Sequence, residues 1–242
     1  MPTRLTGPAQ AIAVDLSSNS SVQQHSLGTK VETPDGRIFR YCKTGATALV
    51  PGKLYDGPAN VGNHTNIAVA SAAAIGATSV TVTLGATAAT ANQYADGLLV
   101  VNDATGEGYT YRIKSNPAAD ASATLTLTLD DPIAVALVAS TSEVTLLPNQ
   151  YNGVIIHATT ETGVPVGVAV KAITATYYGW IQTRGAVGVL CDASISELGS
   201  EVAASASTAG SVTVGTGALA SIGYMLATGV STEYNPIFLT ID

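Results

Sequence analysis

The chain has 242 residues and few charged side chains, which make up 11% of the total, against about 25% in an average soluble protein. Aromatic residues account for only 5%, and there are two cysteines. The scarcity of Glu, Lys and Arg excludes a coiled coil, and an apolar fraction of 46% with so little charge excludes a disordered chain. Two cysteines are too few for a disulfide scaffold, and no apolar run approaches the roughly 20 residues of a membrane span.

The charge that is present is unevenly distributed. The net charge is −7, so we expect no nucleic-acid partner for the chain as a whole. Residues 1–55 carry six bases and three acids, a balance of +3, whereas the remaining residues carry four bases and fourteen acids, a balance of −10. A basic segment on an acidic body is typical of an arm that docks on a partner. Chance variation in a weakly charged chain accounts for the same asymmetry.

The first residues do not resemble a secretion signal. The apolar patch at residues 9–14 is interrupted by Gln10 and closed by Asp15, whereas a signal peptide needs an apolar core of roughly 7–15 residues. We therefore expect synthesis in a cytoplasm, no membrane partner, and free thiols at Cys42 and Cys191.

Alternating apolar and polar residues predict β-strands along most of the chain. Residues 79–84 and 125–129 alternate Val or Leu with Thr, and 98–113 indicates a hairpin around a Gly-rich turn. Turn signals recur every 8–12 residues, including a predicted reversal at 183–185. The fold class predicted is all-β, with two small β-sandwich or barrel domains preceded by an extended N-terminal arm. The predicted boundaries are 1–55 for the arm, which includes a hairpin over 31–41, 56–150 for the first β domain and 151–242 for the C-terminal β domain.

Motifs for catalysis are missing from the sequence. It contains no phosphate-binding loop, dinucleotide fingerprint, zinc motif or nucleophile elbow. The histidines His25, His64 and His157 are far apart, and a triad of His157, Asp192 and some serine is easily drawn by chance because serines are abundant. We expect no enzyme activity, no catalytic residue, no cofactor and no metal ligand.

Two acidic turns have an alternative interpretation as ion sites. The oxygens of residues 102–107 and of Asp130 and Asp131 suit a hard cation. The turns lack the alternating acidic positions of known calcium loops, and ordinary solvated turns explain them better.

Tyr177, Tyr178 and Trp180 form an aromatic cluster in a chain poor in aromatics. Such clusters occur in carbohydrate-binding faces and in protein interfaces, and equally in the core of a small β domain. The sequence alone leaves all three open.

Several short segments at the two ends of the chain resemble proteins of tailed bacteriophages. The C-terminal part is similar to head decoration (cement) proteins in the segments GWIQTRG, VLCD, LGSEV, IGYML and IFLTI, at residues 179–185, 189–192, 198–202, 222–226 and 237–241. Residues 27–41 resemble the opening of small structural proteins of these phages. The resemblance covers about half of the chain and does not include 60–150.

This resemblance implies a homotrimer on the outer surface of an icosahedral phage head, made in the host cytoplasm. It would clamp neighbouring subunits of the major capsid protein without catalysis, and three modest contacts in one trimer would give avidity. On this basis we expect Arg37, Arg40 and Lys43 to contact the capsid. We expect Tyr177, Tyr178 and Trp180 to lie at the subunit interface or in the core. The alternatives are a phage tail or fibre-base protein and a carbohydrate-binding β module.

Overall fold

The computed structural model describes residues 14–217 and 221–242, and within these ranges the protein is built almost entirely of β-strands. A single 3₁₀ turn, Gly62–His64, is the exception among the described residues. The sixteen strands are β1 Lys30–Glu32, β2 Ile38–Thr44, β3 Leu54–Asp56, β4 Ile67–Ala68, β5 Ser79–Thr83, β6 Leu98–Asp103, β7 Thr110–Ser115, β8 Thr124–Leu129, β9 Glu143–Leu147, β10 Asn152–Ile156, β11 Pro165–Ala169, β12 Tyr178–Leu190, β13 Glu201–Ala204, β14 Val212–Val214, β15 Ser221–Met225 and β16 Tyr234–Thr240. This confirms the predicted all-β class with barrel-like sheets.

Strands β4 to β9 form a six-stranded barrel in the middle of the chain. The strand order is β4-β9-β6-β7-β8-β5, and a bridge between Val69 and Val82 joins the two ends of the sheet. The alternation of apolar and polar residues in the sequence determines which face of each strand is buried and which is exposed. In β8 every Leu is buried and every Thr is exposed, as expected for a strand with one face on a core.

The six-stranded barrel is an insertion in the chain, and the strands that precede and follow it form a second barrel. β2, β10, β3, β11 and β12 are hydrogen-bonded in a ring, because β2 pairs with β10 on one side and with β12 on the other. Its interior holds Cys42, Tyr55, Val154 and Ile181, all buried. The segments before and after the inserted barrel therefore share one core.

The remaining strands close a third barrel at the C-terminal end. β12, β16, β15, β13 and β14 follow one another in the sheet, and a bridge between Cys191 and Val212 links its ends. Leu54 and Val168 from the second barrel also belong to the core of the third. The second and third barrels are thus fused, and strand β12 is common to both.

The reversal predicted at residues 183–185 is wrong, because β12 runs through this point as one strand of 13 residues. The register shifts between Gln182 and Arg184, which marks a β-bulge. Gly185 has φ +91°, and a Cβ there would lie 2.8 Å from Cγ of Arg37. Glycine and the bulge bend the strand from one barrel into the next without turning it back.

The segment 30–55 differs from the expected arm. The hairpin over 31–41 is present, with Glu32 opposite Ile38. β2 and β3, however, are strands of the second barrel, and Cys42, Leu49 and Tyr55 lie in its core. Because apolar residues of the segment 30–55 belong to the core of the barrel, this segment cannot be an independent arm. Residues 1–13 of the expected arm lie outside the described residues.

Both cysteines are free, as the sequence predicts, and both are buried. Burial raises the pKa of the Cys42 thiol to about 12, so it remains protonated near neutral pH. In the parts of the chain that the structure describes, no helix has the length and apolar character needed to cross a membrane.

Candidate functional site

Trp180 lies in the core and is only 1% exposed. It faces Tyr41 across the pairing of β12 with β2, and the two ring centroids are 5.0 Å apart. Tyr178 is half-buried and stacks on the other side of Tyr41 at 6.0 Å. Tyr177 is half-buried against the core of the second barrel. Of the three positions weighed for Trp180, the structure places it in the core of its own chain.

The segment from Val14 to Val31 covers Trp180. Val14, Leu16, Leu27 and Val31 pack against the cluster of Phe39, Tyr41 and Trp180. The backbones of Ser20 and Tyr178 exchange two hydrogen bonds of 3.1 and 2.8 Å. The described part of the predicted arm is therefore docked on its own barrel, whereas the sequence favours an arm that docks on a partner.

The three basic residues predicted to contact a capsid have different environments. Arg40 is tied into the fold, since its guanidinium donates two hydrogen bonds to the Asp242 carboxylate and one to the Gly28 carbonyl. Arg37 pairs with Asp35 in the exposed hairpin turn at 2.8 Å. Lys43 lies over the ring of Tyr178, with Nζ 5.5 Å from the ring centroid.

These three residues do not form one surface. Arg37 lines a cleft beside β12, and Lys43 lines a different cleft against the inserted barrel. Arg37 and Lys43 remain candidates for partner contacts, whereas the hydrogen bonds of Arg40 are made within the molecule.

Asp56 and His157 form a buried ion pair in the second barrel. The two oxygens of Asp56 lie 3.0 and 2.9 Å from Nδ1 of His157, and the side chains are 0% and 1% exposed. Hydrogen bonding to Asp56 raises the pKa of His157, and a hydrogen bond with the Ser205 backbone adds to the effect. The pair favours the charged imidazolium because a buried carboxylate needs a cationic partner.

The triad drawn from His157, Asp192 and a serine is only partly brought together. Ser205 lies between the two, but its Oγ donates a hydrogen bond to Asp192, and His157 directs Nδ1 to Asp56. Ser205 is fully buried. A nucleophile needs an open position beside its base, so we assign these groups to the packing of the second and third barrels.

The two acidic turns considered as ion sites carry no ligand cluster. Among the described residues, no group of three or more His, Cys, Asp or Glu is placed to hold a metal ion. Asp130 instead lies 3.3 Å from Nε of Arg112. These turns are best described as solvated turns, one of them with an ion pair.

A partly exposed aromatic and aliphatic patch lies on the outside of the third barrel, on strand β15, the residue that follows it and strand β16. We call Tyr224, Leu226, Pro236 and Phe238 the outer aromatic face. Tyr224 and Phe238 are register partners, and their rings stack at 5.1 Å with an angle of 10°. Tyr224 and Leu226 are 39% and 42% exposed. All four residues are uncharged, and Glu201, the register partner of Tyr224, borders them.

Such a patch is typical of a surface that associates with another protein. Interfaces are enriched in aromatics and depleted of Lys and Glu, and contiguous exposed apolar patches commonly mark interaction sites. The alternation of β16 indicates which residues point outward once the inner face is known. The face cannot be predicted from the sequence alone, because it depends on β15 and β16 lying side by side.

A comparison of the chain with protein-family models, with curated proteins and with solved structures finds no match.

Proposed function

We propose that the protein is a structural component of a virion. In this proposal it binds the outer surface of an icosahedral phage head and stabilises it by clamping neighbouring major capsid subunits. The proposal builds on the resemblance of the C-terminal segments to head decoration proteins. Two of those segments, IGYML and IFLTI, contain three of the four residues of the outer aromatic face.

The outer aromatic face is the observation that carries the proposal. A sheet surface with stacked aromatic rings and no charge of its own loses little on desolvation and gains from burial of apolar area. Three copies around an axis would each offer this face together with Arg37 and Lys43 elsewhere on the surface. Multiple modest contacts held by one trimer would then bind the shell with high avidity.

The low charge of the chain supports association among identical copies. With 11% charged residues, neighbouring subunits meet with little electrostatic repulsion across uncharged surfaces.

The proposal is tested on phage particles purified from the organism in which the chain is encoded. Mass spectrometry of gradient-banded particles should detect the protein, and gold-labelled antibodies against it should decorate the heads. A variant with Tyr224→Ser and Leu226→Ser should no longer bind heads that lack the protein. The matched control is Tyr109→Ser, because Tyr109 is also exposed and also stacks on a neighbouring ring, Tyr111.

Absence of the protein from purified particles would contradict the proposal. Labelling of tails or fibre bases, with unlabelled heads, would favour the alternative tail function. Loss of head binding in both the double variant and the Tyr109→Ser control would show that the outer aromatic face has no specific part in it.

A further inference from the structure

A cleft of about 540 Å³ lies beside strand β12, next to the point where β2 begins and the hairpin turn approaches. Its lining combines small apolar residues with three larger polar or aromatic ones, Arg37, Gln182 and Tyr234. The proposed head binding does not use this combination. It also lies apart from the aromatic cluster around Trp180, which is closed to solvent.

Gln182 lines this cleft and carries an unused hydrogen-bond acceptor. Its side chain is fully buried and runs along β12, where Nε2 donates to the carbonyl oxygens of Arg184 at 2.9 Å and Ala186 at 3.1 Å. Its Oε1 has no hydrogen-bond partner among the described residues. Reversing the amide would place its oxygen against two carbonyl oxygens, so the two donated bonds fix Oε1 as the free atom. A buried acceptor without a donor is uncommon in folded proteins and calls for a partner.

Arg37 supplies donors at the same cleft. Its Nε is paired with Asp35 at 2.8 Å, which balances the charge of the guanidinium. In residues 14–217 and 221–242, the side-chain hydrogen bond of Arg37 is made by Nε, and neither of its two terminal nitrogens has an acceptor. Arg37 therefore offers N–H groups to a ligand without requiring that the ligand be anionic.

Tyr234 provides an aromatic wall. Its side chain is 54% exposed, and its ring lies on the loop at Gly52. Gly52 has φ +76°, and a Cβ there would lie 2.5 Å from Cδ1 of the ring. Only glycine allows this close approach, so the backbone holds the ring in place beside the cleft.

We propose that this cleft binds a neutral saccharide, one or two pyranose rings in length. A pyranose has hydroxyl groups at its edge, which donate and accept hydrogen bonds, and an apolar C–H face. A hydroxyl would donate to Gln182 Oε1 while another accepts from Arg37, and the C–H face would lie on the Tyr234 ring. A cleft that pairs a few fixed polar groups with apolar walls is the usual form of a small-molecule site.

A saccharide fits the cleft better than a peptide strand from a partner. The fixed groups are an acceptor and a donor beside one aromatic ring, which matches the alternation of hydroxyls around a sugar. Gln182 and Tyr234 have no part in the proposed head binding, which uses the outer aromatic face, and Arg37 alone belongs to both sites. Loss of one is therefore measurable without loss of the other.

The test uses the full chain and saturation-transfer-difference NMR. The probes are the methyl glycosides of glucose, galactose, mannose, N-acetylglucosamine and rhamnose. At least one should receive saturation from the protein, and Tyr234→Ala should weaken its binding by about tenfold or more. Tyr224→Ala is the matched control, since it removes an exposed tyrosine of β15 that lies outside the cleft, and it should bind as the wild type does.

The role of Gln182 is tested with the wild-type protein, which avoids a substitution in the core. Monodeoxy analogues of the bound glycoside remove one hydroxyl at a time. One of them should bind about tenfold or more weakly, because it leaves Oε1 without a donor. Equal binding of all deoxy analogues would overturn the assignment of Gln182.

Failure of all five glycosides to receive saturation would overturn the proposal. So would binding that Tyr234→Ala leaves unchanged. A third contradicting result would be a change in the Tyr234 environment with protein concentration alone, since a second copy of the chain would then occupy the cleft.

Discussion

Arg40 on β2 and Asp242 beyond β16 form a bidentate ion pair across 202 residues of sequence. Nε of Arg40 lies 2.7 Å from one carboxylate oxygen and Nη2 lies 2.6 Å from the other. Thr183 on β12 donates a further hydrogen bond to the same carboxylate at 2.9 Å. Because β2 and β16 both pair with β12, the ion pair ties the two outer strands to the strand they share.

Replacing Asp242 by Asn should destabilise the protein by about 1–3 kcal/mol, since it removes a charge-assisted pair from a half-buried site. Hydrogen bonds from Arg40 and Thr183 lower the pKa of Asp242 below 3.8. Because the pKa of Asp242 is lower in the folded than in the unfolded state, the ionised carboxylate stabilises the protein at pH values above the unfolded-state pKa. This stabilisation is lost as the pH falls through the folded-state pKa. Urea unfolding should show a difference between wild type and Asp242→Asn at pH 7 that disappears in strong acid.

The matched control for this prediction is Asp35→Asn. Asp35 also pairs with an arginine, but both side chains are exposed, and such pairs contribute little. A loss of stability in Asp35→Asn as large as that in Asp242→Asn would contradict the account.

The Asp56–His157 pair predicts a second pH dependence of opposite sign. The pKa of His157 is raised above 6.5, mainly by its hydrogen bond to Asp56. Because the pKa of His157 is higher in the folded than in the unfolded state, the protonated imidazole stabilises the protein fully at pH values below the unfolded-state pKa. This stabilisation is lost as the pH rises through the folded-state pKa. Stability should therefore fall from about pH 6.5 upward. In His157→Asn this slope should vanish.

NMR titration of the imidazole protons measures the pKa directly. His25 in the same spectra is an internal comparison. A titration midpoint of His157 below 6.5 would contradict the charged pair, as would an unchanged pH slope in His157→Asn.

Trp180 should be among the most costly residues to truncate. Trp180→Ala removes a large buried side chain and should cost about 3–5 kcal/mol. Its Nε1 makes no hydrogen bond within the described residues, so Trp180→Phe keeps most of the packing and loses no bond. We expect Trp180→Phe to be clearly more stable than Trp180→Ala in urea unfolding. Equal losses would show that the indole ring is not packed as described.

The covering segment can be tested through the fluorescence of Trp180, the only tryptophan in the chain. A chain that starts at Lys30 lacks Val14, Leu16 and Leu27, which pack on the Trp180 cluster. Its emission should shift to the red and its stability should fall. A chain that starts at Val14 retains these contacts and is the matched control. An unshifted spectrum in the shorter chain would contradict the docking of this segment on Trp180.

Local patterns in the sequence predict most individual strands, because one buried and one exposed face impose a period of two. The strands around Val80 and Leu127 follow this rule closely. What the sequence does not reveal is which strands pair. β2 reaches β12 across more than 130 residues, and the inserted barrel lies between them in the chain. Such pairings depend on the packing of the whole molecule.

The predicted reversal in β12 failed for a related reason. The residues Thr183, Arg184 and Gly185 have a composition typical of a turn. In the structure, however, they lie at a bulge in a continuous strand. The same limit applies to the surfaces. Gln182 and Tyr234 belong to strands whose proximity is set by tertiary structure, so the cleft they line could not be anticipated from spacing.

The most direct measurement for the proposed function is the mass of the purified chain by light scattering after size exclusion. We predict a trimer of about 73 kDa, three times 24.3 kDa, which both Tyr224→Ser with Leu226→Ser and Tyr109→Ser leave intact, because the outer aromatic face is used for head binding. A wild-type mass of 24.3 kDa that persists at high protein concentration would contradict the trimer.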